Sequence, residues 1–127
     1  MESTSSEQRE LARAILSQID TAISDILEWN KDIKTADDYL ITSDGMRTLA
    51  ATSMLLEAIG EGFKRIDKIT KGTLLAQCPE IPWRQVKGLR DHIAHGYFDI
   101  DTDIIWDTVS TELSALQEAV RKLQAVG

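Results

Sequence analysis

Two histidines, His92 and His95, both fall in the stretch RDHIAHGY at residues 90–97. On a helix advancing 100° per residue, Asp91 and His95 stand one turn apart and face the same way. A carboxylate there accepts a hydrogen bond from one ring nitrogen, sets the tautomer and favours the imidazolium. The other nitrogen is left for acid–base work. Arg90 projects on the shoulder of that face, where its planar guanidinium can reach an anion held near His95. Val86, Leu89, Ile93 and Gly96 point the opposite way, so Arg90, Asp91, Ala94 and His95 line a polar surface. That surface is a cleft, a dimer contact or an ordinary solvated helix face, and spacing alone leaves the three open.

Competing chemistries are thinner. A metal site on His92 and His95 needs a third ligand from elsewhere, and no second His or Cys cluster exists, so no metal is expected. Asp99, Asp101 and Asp103 resemble the start of a calcium loop. Ile104 stands where that loop needs glycine and Ser110 where it needs a bidentate glutamate, so helix capping explains the acids better. There is no glycine-rich phosphate loop, Ser–His–Asp order or dinucleotide fingerprint, and no cofactor is implied. Trp83 and Trp106 read as core or interface anchors rather than base-stacking platforms.

The elements that must hold these groups follow from periodicity. Thr4, Ser5 or Ser6 can cap a first helix, Thr4 with Glu7 fitting a capping box. Leu11, Ile15, Ile19, Ala22, Ile26 and Trp29 then form one apolar stripe. A short polar connection over 32–41 precedes a second long helix capped by Thr42 or Ser43, with Met46, Leu49, Leu56, Ile59, Phe63 and Ile66 inward. Gly60 and Gly62 inside that helix cost about 1 kcal/mol each against Ala, which points to close approach by another backbone or to a bend. Glu61 between them either faces solvent or braces a basic residue of the third helix. Pro82 suits the first turn of that third helix, which carries Val86, Leu89 and Ile93 and stops near Gly96. Ile105, Val109, Leu113, Leu116, Val120 and Leu123 stripe a last helix, with acids at its positive dipole end. The expectation is an all-α bundle of four main helices plus one or two short ones, forming a single domain over residues 1–127.

Composition narrows the class. The chain of 127 residues is 43% hydrophobic and 28% charged, ordinary for a globular domain. A lone cysteine, Cys78, excludes an intrachain disulfide framework and suggests a reducing, cytoplasmic setting. No apolar run is long enough for a membrane span, and the polar, acidic first ten residues do not read as a signal peptide. The net charge of −7 argues against a broadly basic nucleic-acid coat. That average conceals a segment: residues 64–90 hold Lys64, Arg65, Lys68, Lys71, Arg84, Lys87 and Arg90 against only Asp67 and Glu80, a local +5 in a −12 remainder. A basic stretch leading into the histidine helix is what a polyanion site needs, and solvated helix faces are the plain alternative.

The motif resembles the HEPN superfamily signature of Arg, a polar residue, three variable residues and His, filled here by Arg90, Asp91 and His95. The longer form, Arg, four residues, His, any residue and Tyr, resembles that of the HepT toxins and is completed by Tyr97. Ile59-Gly60-Glu61, the run from Pro79 to Arg84, Gly88-Leu89-Arg90, His95-Gly96-Tyr97-Phe98 and Ile105-Trp106 extend the likeness. Gly62 departs from a usual Ala, and Asp91 replaces a frequent Asn. The resemblance implies a HEPN-type helical bundle acting as a ribonuclease toxin, in a homodimer that brings two Arg–His motifs into one cleft. It also implies a small MNT-type nucleotidyltransferase antitoxin as partner, which transfers AMP from ATP onto the motif tyrosine, Tyr97. In that setting Arg90 and His95 are the catalytic candidates and Asp91 and Glu61 supporting ones. Lys64, Lys68, Arg84 and Lys87 are candidates for holding RNA, a confined element such as a tRNA arm fitting the small basic region. The runner-up is a non-catalytic subunit that holds nucleotide or substrate for the transferase.

Overall fold

The computed structural model describes residues 5–93 and 97–126. These residues form helices and connections with no β-strand among them: α1 (Ser6–Trp29), α2 (Asp38–Ile41), α3 (Ser43–Ile69), α4 (Trp83–Lys87), α5 (Leu89–Ile93), α6 (Thr102–Asp107) and α7 (Leu113–Ala125). The chain is all-α, as the periodicity predicts.

The capping box of α1 is Ser5 with Gln8, and Thr4, the other candidate with Glu7, lies outside the described residues. The Ser5 hydroxyl accepts from the Gln8 amide at 3.1 Å, and the Gln8 side chain accepts from the Ser5 amide at 2.9 Å. The apolar face is also rotated from the expected stripe. Ala12, Leu16 and Ile23 join Ile15, Ile19 and Ile26 in the core, while Leu11 and Trp29 are each 44% exposed. Against this face packs α3, capped by the Thr42 hydroxyl on the Gly45 amide. Its Leu49, Leu56, Ile59, Phe63 and Ile66 are buried as predicted, with Met46 only partly so.

The two helices run antiparallel, with Asn30 of α1's end bonded to Thr52 of α3 and Gly62 facing Ile15 and Ile19. A buried polar network closes one end of this pair. Tyr39 of α2 donates to the Asn30 side-chain oxygen at 2.6 Å, and the Asn30 amide donates to Thr52 at 2.9 Å and to the Ile26 carbonyl at 2.8 Å. The Tyr39 ring stands edge-on to Trp106.

The expected third helix is broken in two at Gly88. Its amide is shared between the Arg84 and Gln85 carbonyls, and its own carbonyl accepts from Asp91 three residues on, so the turn tightens there. The last helix carries all six predicted apolar residues inward. It contains a π-helical turn, Thr108–Glu112, between α6 and α7. Thr108, Ser110 and Thr111 each donate a hydroxyl hydrogen bond to the carbonyl four residues back, which loosens the backbone ladder at this place. Trp83 and Trp106 serve as anchors. Trp83 packs on Phe63 with ring centroids 4.9 Å apart and donates to the Cys78 carbonyl at 2.9 Å.

Candidate active site

Only five residues form α5, and its position is set by what it buries. Ile93 is fully buried and Leu89 packs on the core, which turns Arg90 and Asp91 outward to solvent. The backbone of α3 comes close on the inner side. A Cβ at Gly60 would stand 3.0 Å from the Val86 carbonyl oxygen, 3.5 Å from that of Lys87 and 3.7 Å from Leu89 Cβ. Gly60 therefore lets α3 receive the α4–α5 junction, the close approach its cost suggests. Gly62 plays a different part, because a Cβ there would meet the Ile19 side chain of α1 at 3.0 Å.

Beyond α5 the chain returns to its own starting point. The Asp101 amide donates to the Ile93 carbonyl at 2.8 Å, which pins the two ends of the intervening loop together. Asp101 then caps α6, its carboxylate accepting from the Asp103 and Ile104 amides at 3.1 Å each. Capping thus accounts for Asp101. His95, Ala94, Gly96 and the Tyr97 side chain lie outside the described residues, and with them the Asp91–His95 pairing. Tyr97 itself opens a short 3-10 turn, Tyr97–Asp99, and Phe98 beside it is 93% exposed.

His92 does not share the face of Arg90. It lines a groove between α4–α5 and the last helix, with Gln85, Leu89, Asp107 and Glu112. Two residues apart on a helix is 200°, so Arg90 lies on the other side of α5. Among the described residues no group of three His, Cys, Asp or Glu could hold a metal ion. The Cys78 thiol is buried, and desolvation together with the nearby Glu80 carboxylate pushes its pKa up, so it is no ready nucleophile.

Three of the basic candidates come together. Lys64 and Lys68 of α3 and Lys87 of α4 line one open concavity with Asp67, Lys71 and Gly72. Arg84 is exposed on α4, outside that lining. Glu61 does not brace the third helix: it pairs with Lys64 one turn along its own helix, at 2.9 Å, and lines a groove against α1. The brace is Asp67, whose carboxylate meets Lys87 at 2.7 Å with both side chains less than a third exposed. Two residues thus escape a reading by pattern. Asp67 lies seven residues after Gly60, on the same face of α3, and that offset from a costly glycine was its one available signal. Phe98 sits in the 3-10 turn Tyr97–Asp99, too short for helical periodicity to say anything.

Among the described residues no helix is long and apolar enough to cross a membrane. A family profile described as ribonuclease HepT-like matches residues 19–123. A protein of Thermococcus cleftensis bearing the name probable ribonuclease HepT is 34% identical over 109 residues, covering 86% of this chain and 92% of its own. A protein of Methanocaldococcus jannaschii bearing the name putative RNase is 29% identical over 116 residues, covering 88% of this chain and 89% of its own. No solved structure matches the chain.

Proposed function

Because the chain belongs to the ribonuclease HepT-like family, we propose that it is an endoribonuclease toxin that cleaves RNA without a metal ion. The observation that carries this reading is an exposed Arg90 three residues along the chain from Lys87 and its lysine-lined concavity. Three residues span at most about 10 Å, so phosphates bound at the two places belong to one stretch of backbone.

The residue types suffice for the chemistry. Cleavage needs a base for the 2′-hydroxyl proton, an acid for the leaving 5′-oxygen and a cation for the charge that builds on phosphorus. His95 moves one of these protons, and such general acid–base help is worth about 10²–10⁴-fold. Arg90 bonds the equatorial oxygens through paired, charge-assisted N–H donors. Asp91 orients His95. A homodimer supplies the second acid–base group from the other subunit's motif. Lys64, Lys68, Lys87 and Arg84 hold the flanking RNA, a tRNA arm being the size of element the basic surface fits.

Control follows from Tyr97. An AMP group placed there by an MNT-type nucleotidyltransferase antitoxin adds bulk and negative charge beside the motif, which repels RNA. The purified chain incubated with labelled RNA in chelator should cleave it, and His95→Ala and Arg90→Ala should not. Undiminished cleavage by His95→Ala sinks the reading. Unchanged growth on expressing the wild-type chain alone favours instead a non-catalytic, nucleotide-holding subunit.

A further inference from the structure

The concavity at the end of α3 has a feature its basic character does not call for. One acid, Asp67, stands among Lys64, Lys68, Lys71 and Lys87. An acid in a phosphate site lowers its affinity, so its presence needs a reason in the geometry.

Asp67 is held from two sides. Its backbone carbonyl accepts from the Gly72 amide at 2.8 Å, closing the left-handed turn at Lys71 and Gly72 (φ 54° and 77°). Its side chain holds the Lys87 ammonium at 2.7 Å. Lys87 is on α4, directly before the Gly88 break and three residues before Arg90. The carboxylate therefore ties the end of α3 to the element that leads into α5. The positive φ of Gly72 is what calls for glycine in that turn, and a Cβ there would make only an ordinary contact, 3.8 Å from the Asp67 carboxylate oxygen. Lys64 pairs outside the concavity with Glu61, and that half-exposed pair is easily surrendered to a competing anion.

We propose that this concavity is a subsite for an RNA phosphate flanking the cleaved bond, in which Asp67 pre-positions Lys87 and is the anion that the incoming phosphate displaces. The inference rests on the ribonuclease reading above. Asp67 is a positioning residue, not a catalytic one. A phosphate bound between Lys64, Lys68 and Lys87 takes over the charge that Asp67 balances in the free protein, so the pair holds Lys87 ready and opposes binding at the same time.

That dual role separates this site from a structural clamp. Binding is read by fluorescence polarisation of a labelled short single-stranded RNA, in a His95→Ala background so that it is not cut. Cleavage is read separately in the wild-type chain. Lys68→Gln and Lys87→Gln should each weaken binding and shallow the salt dependence by about 0.7 in log–log slope, the value of one single-strand phosphate contact. Asp67→Asn should bind RNA about two- to fivefold more tightly, the worth of one ion pair, while melting at a lower temperature. Its gain should vanish in a Lys87→Gln background, and Asp67→Glu should restore wild-type binding. Lys31→Gln, at the opposite end of α1, should change nothing. Weaker or unchanged RNA binding by Asp67→Asn overturns the proposal, as do lysine substitutions that leave the salt slope intact. If the wild-type chain neither cuts nor binds RNA, the ribonuclease reading fails and the subsite with it. If it cuts RNA and only the Asp67 arm fails, that reading stands and the subsite does not.

Discussion

Gly60 of α3 abuts the carbonyl of Val86, 3.0 Å from where a Cβ would sit, and that contact sets how closely the α4–α5 junction seats on the bundle. Gly62, two residues on, meets side chains alone, with Ile19 Cδ1 at 3.0 Å, Ile19 Cγ1 at 3.3 Å and Ile15 Cγ2 at 3.4 Å. The same substitution should therefore have opposite signs. Gly60→Ala pushes against backbone, should lower stability despite a helix-propensity gain of about 1 kcal/mol, and should displace α5 with Arg90. Gly62→Ala asks a few tenths of an ångström from the Ile19 side chain, with no backbone in the way, and should raise stability. Thermal melts of the two variants check this, and a destabilised Gly62→Ala would contradict it.

Tyr39 offers a pH test with a definite sign. Burial pushes its phenol pKa from 10.0 up to about 12, because the interior penalises the phenolate. A group whose protonated form the fold favours contributes stability that is complete below pH 10 and lost as pH rises toward 12. Tyr39→Phe should cost about 1–3 kcal/mol at neutral pH, since it leaves the Asn30 oxygen without its donor. The gap between the two proteins should narrow as pH climbs through that window. Denaturant titrations across the alkaline range measure it, and a constant gap rules the assignment out.

How legible this was in the sequence depends on whether a feature repeats. The apolar positions of α3 and the last helix recur every three or four residues, and the predicted side chains are buried. The stripe of α1 drifted, because Leu11 and Trp29 satisfy the same period while lying on its edge, and only the packing of α3 and α7 decides which edge is covered. The single third helix was an overextension: Val86, Leu89 and Ile93 keep phase across Gly88, and periodicity does not register a tightened turn. The π-turn at Thr108–Glu112 came from three hydroxyl residues whose back-bonding no apolar pattern records. At the site, the outward face of Arg90 and Asp91 is legible because Leu89 and Ile93 on either side are apolar and turn inward. Asp67–Lys87 spans 20 residues, and an ion pair between two helices has no sequence period at all.

Asp101 links the loop after α5 to the last helix. Its carboxylate satisfies two amides at the start of α6 while its own amide holds the Ile93 carbonyl. Asp101→Ala should cost about 1 kcal/mol through loss of the cap, and Asp101→Asn should recover most of it. Both keep the backbone bond to Ile93, so RNA cleavage should fall less than stability. Melting temperatures beside initial rates decide this. A rate that collapses while the melt stays put would give Asp101 a part in the reaction.

The two histidines provide the sharpest contrast, because only His95 stands at the histidine position of the Arg-x4-His-x-Tyr pattern. His92 lines the groove against α6 and α7, on the side of α5 away from Arg90. His92→Ala should leave RNA cleavage within a few-fold of wild type. His95→Ala should lower the rate by about 10²–10⁴-fold, the usual value of a positioned acid or base. Arg90→Lys keeps the charge but loses the planar pair of donors, and should fall between the two. The measurement is single-turnover cleavage of labelled RNA in chelator, with melts to exclude unfolding. A His92→Ala protein that melts normally yet is as inactive as His95→Ala would bring His92 into the reaction and contradict the assignment.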